Sequence, residues 1–261
     1  MTKYSMYQRI IDRQIPPEES ELPSIDLKDN KLHIINQEMR KTKLPILYRY
    51  TSISMNEIKN LIHESVYLVP AQWMNDTFEG AVFDQTHDGN TIERNNARMQ
   101  TEVYLKCFSL KNNSILMWSH YADANKGICI GYDFNHADTQ IQAHLFPVQY
   151  SNTRFSCRNI ENVKEHPYFY LRKSKDWKYE EECRLIYRHR NIPNSKQLLQ
   201  LDCIAEVQFG FRMDPEVKEI IRLIVEKKNQ EEGKQIKLYD TLQQENSFVL
   251  KRVAYEPSNH R

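Results

Sequence analysis

Asp214-Pro215-Glu216-Val217-Lys218-Glu219-Ile220-Ile221-Arg222-Leu223-Ile224-Val225 is the stretch that decides the fold class of this chain. Asp214 suits an N-cap and Pro215 the first helical position. Val217, Ile220, Ile221, Ile224 and Val225 recur at the spacing of one helix face. Strand-like runs at Ile204–Phe211, Gln235–Leu242 and Phe248–Tyr255 flank this helix. Strands and helices mixed without regular βαβ repetition predict an α+β fold, with a mixed or mainly antiparallel sheet core and peripheral helices.

Upstream, Ile46–Thr51 is a strand-like run of aromatic and branched residues. Ser54 and Glu57 fit a capping box that opens a helix to about Ser65, and Val66–Val69 reads as a strand stopped by Pro70. A polar loop then holds Trp73 to Gly80. A helix is expected around 92–101, a strand over Val103–Ser109, a short helix from Ser114 to Ala122, and strands at Gly127–Phe134 and Phe146–Tyr150. A helix-rich connection leads to Trp177–Tyr187, whose second half is strand-like. Residues 1–45 are polar and broken by Pro16, Pro17, Pro23 and Pro45, so they read as an N-terminal arm with one short helix near Ile34–Lys41. Residues 46–261 are expected to form a single α+β domain.

The chain has 261 residues, 40% hydrophobic and 27% charged, which is ordinary for a globular protein. Lys plus Arg (36) nearly balances Asp plus Glu (35), so no global field draws the chain to nucleic acid or an anionic membrane. No apolar run approaches the roughly 20 residues that span a bilayer. The first residues lack the apolar stretch of a secretory signal, and five scattered cysteines form no CxxC pair. Together these features predict a cytoplasmic protein with reduced thiols.

Four constellations are candidates for chemistry. Trp118-Ser119-His120-Tyr121 crowds four functional side chains into consecutive positions, which on a helix project about 100° apart and cannot all serve one core face. They read either as packing or as an aromatic shelf for a planar ligand. Glu180, Glu182 and Arg184 would share one face of a strand, as a solvated ion pair or as a carboxylate pair beside a developing positive charge, with Trp177 closing the pocket. Arg49, between Tyr48 and Tyr50, would point toward a phosphate or a carboxylate. Asn75, Asp76 and Glu79 form a polar cluster whose plainer reading is a turn with an Asx cap. The chain lacks GxGxxG, HExxH, GxSxG and the P-loop signature, and its nine histidines show no paired ligand spacing, so no metal is expected.

Taken in order, the motifs resemble the bacterial family filed as domain of unknown function 2971. They are Leu47–Tyr50, Asn75-Asp76 with Phe78-Glu79, Cys107–Ser109, Leu116–Ala122, Lys126-Gly127 with Cys129-Ile130, and Trp177 with Tyr179, Glu180, Glu182 and Arg184. Thr77 departs from the Pro that usually follows Asn-Asp in that family. A more distant similarity is to ADP-ribosyltransferase-like domains, through an early strand bearing Arg, a middle Ser or Tyr, and a late Glu-x-Glu. That resemblance implies an NAD-dependent transferase of bacterial conflict or defence, with NAD as co-substrate and a protein or nucleic-acid acceptor. Arg49 would hold the NAD phosphates or ribose, and Ser109 or Ser119 with Tyr121 would contact the nicotinamide end. Glu182 would stabilise the oxocarbenium-like transition state and Glu180 would orient the acceptor. Trp118, His120 and Trp177 would line the same pocket. The alternatives are a non-catalytic nucleotide- or nucleic-acid-binding module, and a metal-dependent nuclease using Asp76, Glu79 and Glu180.

Overall fold

Strands and helices alternate irregularly along the chain, as the C-terminal pattern predicts. The structure, a computed structural model, describes residues 44–84, 101–142, 144–157, 170–188 and 197–256. In chain order it holds β1 (Leu47–Thr51), α1 (Met55–Ile62), β2 (Ser65–Tyr67), β3 (Val69–Pro70), β4 (Val82–Asp84), β5 (Val103–Ser109), α2 (Ile115–Tyr121) and β6 (Ile128–Tyr132). There follow α3 (Thr139–Gln142), β7 (Leu145–Pro147), β8 (Gln149–Ser151), β9 (Phe155–Cys157), β10 (Arg172–Ser174) and a 3₁₀ turn at Lys175–Glu180. The chain ends through β11 (Glu182–Arg188), β12 (Leu198–Gln200), β13 (Ile204–Phe209), α4 (Pro215–Glu231), β14 (Lys237–Gln243) and β15 (Leu250–Ala254).

The fold is therefore α+β, with mixed and mostly antiparallel strand pairing. One expectation is corrected. The strand predicted over Phe146–Tyr150 is two short strands, β7 and β8, with Val148 between them. Residues 158–169 of the helix-rich connection expected after Tyr150 lie outside the described residues; its described flanks hold β9 and β10. The predicted helices near Ile34–Lys41 and 92–101, and the arm apart from Leu44 and Pro45, fall essentially outside the described residues.

Contacts divide the described chain into two compact units. The first holds 44–45, 67–107 and 139–199; the second holds 46–66, 108–138 and 200–256. In the second unit the strand order is β15-β14-β13-β6-β1. β1 runs antiparallel to β6 from Leu47↔Tyr132 to Thr51↔Ile128. β13 and β14 are parallel, which demands a crossover, and α4 supplies it. Asp214 caps α4 as the sequence predicts, its Oδ1 accepting from the amides of Glu216 and Val217. α4 buries Ile221 and Val225, whereas Ile220 and Leu223 are exposed. Gly127 is obligatory here, because a Cβ would lie 2.2 Å from the Thr51 carbonyl oxygen.

The first unit pairs β3 with β5, β11 with β7, β8 with β10 and β4 with β9. Ala71, Val103, Leu105, Phe146, Tyr170, Leu171 and Ile186 form its core, with Met74 and Cys107 against it. The Tyr170 ring would collide with any Cβ at residue 80, at 2.4 Å, and Gly80 also takes φ +66°. The parallel pair β8 and β10 does most to position the candidate site. It sets Arg172 opposite Gln149, Lys173 opposite Tyr150, and Ser174 opposite Ser151. Among the described residues no helix is long and apolar enough to cross a membrane.

Candidate functional site

Trp118 is fully buried, donates through Nε1 to the Asn112 carbonyl oxygen, and meets the Tyr50 ring edge-on at 5.2 Å. A ring with no exposure cannot stack a ligand, so the shelf reading of Trp118 is corrected to core packing. Ser119 and His120 are exposed, and Tyr121 is half-buried. Ser114 caps this short helix by accepting from the Met117 amide. Ser109 is buried, and its Oγ accepts from the Lys111 amide.

Arg49 does point to a carboxylate. Its guanidinium is buried, with Nη2 2.5 Å from Glu57 Oε2 and Nε 3.4 Å from the Tyr132 hydroxyl. Glu57 thus ties α1 to β1 within the second unit.

The late carboxylates lie in the first unit, and their local geometry differs from the sequence reading. Glu180 ends the 3₁₀ turn, Glu181 takes a left-handed φ of 44°, and the strand begins at Glu182. Alternation along one strand therefore does not bring Glu180 and Glu182 together; the turn does. Both are buried, so the solvated-edge reading also falls. Lys173 Nζ donates to Glu180 Oε2 at 2.5 Å and to Glu182 Oε2 at 3.4 Å, and lies 4.5 Å from the Trp177 ring centroid.

Arg184 is the hub of this cluster. Its Nε and Nη2 donate to the two oxygens of Glu182 at 2.8 and 2.9 Å. Nη1 and Nη2 donate to the two oxygens of Glu79 at 2.5 and 3.0 Å, and Nη1 also reaches the Tyr170 carbonyl oxygen at 2.6 Å. All five N–H donors of a guanidinium are thereby used on a side chain with no solvent exposure. The Glu182 amide donates to the Tyr150 hydroxyl at 2.9 Å.

Burial pushes the Glu182 carboxyl up, but Arg184 and Lys173 more than offset this and hold it at about 2. Burial raises the Glu79 carboxyl despite the Arg184 guanidinium beside it. A depressed carboxylate stabilises the fold above its unfolded value. The Glu182 contribution is therefore complete above about pH 4.5 and lost as the pH falls toward 2. An acid titration of unfolding free energy is expected to lose less in Glu182→Gln than in wild type over that window.

Beside this cluster lies a cavity of about 230 Å³, lined by Asp76, Phe78, Ala81, Ser151–Arg154 and Arg172–Ser174. Arg172 is oriented by Gln149 Oε1, which accepts from Nε and Nη2 at 3.0 and 2.8 Å, and by the Arg154 carbonyl oxygen. Burial draws its guanidinium down to about 10. The Arg154 guanidinium sits 5.6 Å from the Phe78 ring centroid. Ser151 Oγ accepts from the Thr153 amide and lies 3.1 Å from Thr153 Oγ1. Asp76 Oδ1 accepts from the Phe78 amide at 2.9 Å, which is the expected Asx turn.

Glu180, Glu182 and Trp177 thus converge on Lys173, which also lines the cavity. Arg49, Ser109 and Trp118–Tyr121 belong to the second unit. Arg154, Arg172 and Lys173 are absent from the sequence-predicted site. Their only linear signal is the pair of polar runs Ser151-Asn152-Thr153-Arg154 and Arg172-Lys173-Ser174, which only the β8–β10 pairing unites.

A buried Arg–carboxylate clamp thus adjoins a cavity whose wall carries Arg154, Arg172 and Lys173. Residues 117–185 match the family described as "Protein of unknown function (DUF2971)", the family that the sequence motifs resemble. The matched span includes the Trp118 segment, both polar runs of the cavity wall, and the Glu180–Arg184 cluster. No curated protein and no solved structure matches the chain.

Proposed function

We propose that this protein binds a phosphorylated small ligand of the nucleotide class in the first-unit cavity. One observation carries the reading: Arg154, Arg172 and Lys173 line a single cavity together with the hydroxyl-bearing Ser151 and Thr153. Guanidinium groups match phosphate oxygens in geometry and charge, and hydroxyls complete the donor set. The volume of about 230 Å³ is below the roughly 300–1,000 Å³ that encloses a drug-sized ligand, so the cavity suits one end of the ligand. Titration of ribose 5-phosphate tests this. Arg172→Ala is expected to weaken binding about 10–100-fold through loss of a charge-assisted contact. Equal affinity in wild type and variant would refute the assignment.

A transferase with NAD as co-substrate is the second reading. It is favoured by Lys173, which lines the cavity and is hydrogen-bonded to both Glu180 and Glu182. In that reading Glu182, held ionised, stabilises positive charge at the ribose carbon. NAD consumption that is lost in Glu182→Gln, with the variant still folded, would separate it from simple binding. The nuclease reading is weaker, because among the described residues no group of three His, Cys, Asp or Glu could hold a metal ion.

A further inference from the structure

The cavity's basic wall is interrupted by one carboxylate. Asp76 is only 7% exposed and lines the cavity. Its Oδ1 is occupied by the Phe78 amide, while Oδ2 has no hydrogen-bond partner or ion pair among the described residues. A carboxylate in this position repels a bare phosphate that enters the cavity. It becomes favourable when the ligand brings hydroxyl or amine donors alongside its anionic group, because a bound ligand takes this oxygen out of water and has to supply the hydrogen bond it loses.

The vicinal diol of ribose is such a donor pair, and a carboxylate with a free oxygen can accept from it. The space fits a pentose and its phosphate more closely than a whole dinucleotide. At the same cavity, Phe78 is 56% exposed and carries the Arg154 guanidinium over its ring. An exposed aromatic ring beside an arginine is a surface on which a nucleobase stacks. Phosphate, sugar and base thus each have a counterpart, in Arg172, Asp76 and the Phe78–Arg154 stack.

We infer that the cavity takes the ribose-phosphate end of a ribonucleotide, and that Asp76 is the residue that recognises the vicinal hydroxyls of the ribose. The inference rests on the phosphate-binding reading above and adds the substrate class to it. Asp76→Asn is the informative variant, because the Asn side-chain oxygen can still accept from the Phe78 amide and keep the Asx turn while the charge is removed.

Isothermal titration of AMP, 2′,3′-dideoxyadenosine monophosphate and inorganic phosphate into the full chain tests it. In wild type, AMP is expected to bind about tenfold or more tightly than the dideoxy analogue. In Asp76→Asn that preference shrinks to about threefold or less, while inorganic phosphate binds at least as well as before. Equal affinity of wild type for AMP and its dideoxy analogue would overturn the inference and leave the phosphate site standing. So would full discrimination retained in Asp76→Asn. Binding of none of the three by wild type would overturn the phosphate reading and this inference together.

Discussion

Replacing Arg184 with Ala is expected to cost about 3–5 kcal/mol of unfolding free energy, the range seen when one partner of a buried ion pair is removed. Arg184 has no solvent exposure and donates to both oxygens of Glu79, both oxygens of Glu182 and the Tyr170 carbonyl oxygen. Its removal strands two carboxylates and a carbonyl that water does not reach. Arg184→Lys should recover only a small part of the loss, because three donors on one nitrogen cannot reproduce a planar five-donor fork. Urea unfolding of the three proteins measures the difference. A loss below about 1 kcal/mol in Arg184→Ala would mean that the cluster is hydrated and behaves like a surface ion pair.

Trp118→Ala is expected to destabilise by about 3–5 kcal/mol, the cost of emptying a buried aromatic site. His120→Ala, two positions on and exposed, should change stability by no more than about 0.5 kcal/mol. The contrast separates the two meanings of the Trp-Ser-His-Tyr run. Its tryptophan holds α2 against Tyr50 and the second-unit sheet, while Ser119 and His120 face solvent. If Trp118→Ala were nearly neutral in thermal unfolding, the packing role assigned to this ring would be wrong.

The fold was legible wherever local chemistry and tertiary packing agree. Ser54 and Asp214 cap the helices they were expected to cap, because a capping oxygen needs only the next turn of its own helix. The strand Val103–Ser109 announced itself by its branched and aromatic residues, most of which are buried. The polar cavity was harder to see. β8 and β10 are three residues each, too short to show periodicity, and they pair in parallel across more than 20 residues of chain. The Glu180–Arg184 cluster was found for a partly wrong reason. Alternation grouped the correct residues, but the left-handed Glu181 and Lys173 from β10 create the burial. Asp76 was visible as a turn former, and its cavity-facing role depends on partners more than 70 residues away.

A crystal structure of the protein soaked with ribose 5-phosphate tests the central claim most directly. The prediction is ligand density in the cavity lined by Asp76, Ser151–Arg154 and Arg172–Ser174, with the phosphate on Arg172 and the sugar hydroxyls on Asp76. Density at another site, or an empty cavity at a concentration where solution binding is saturated, would contradict it.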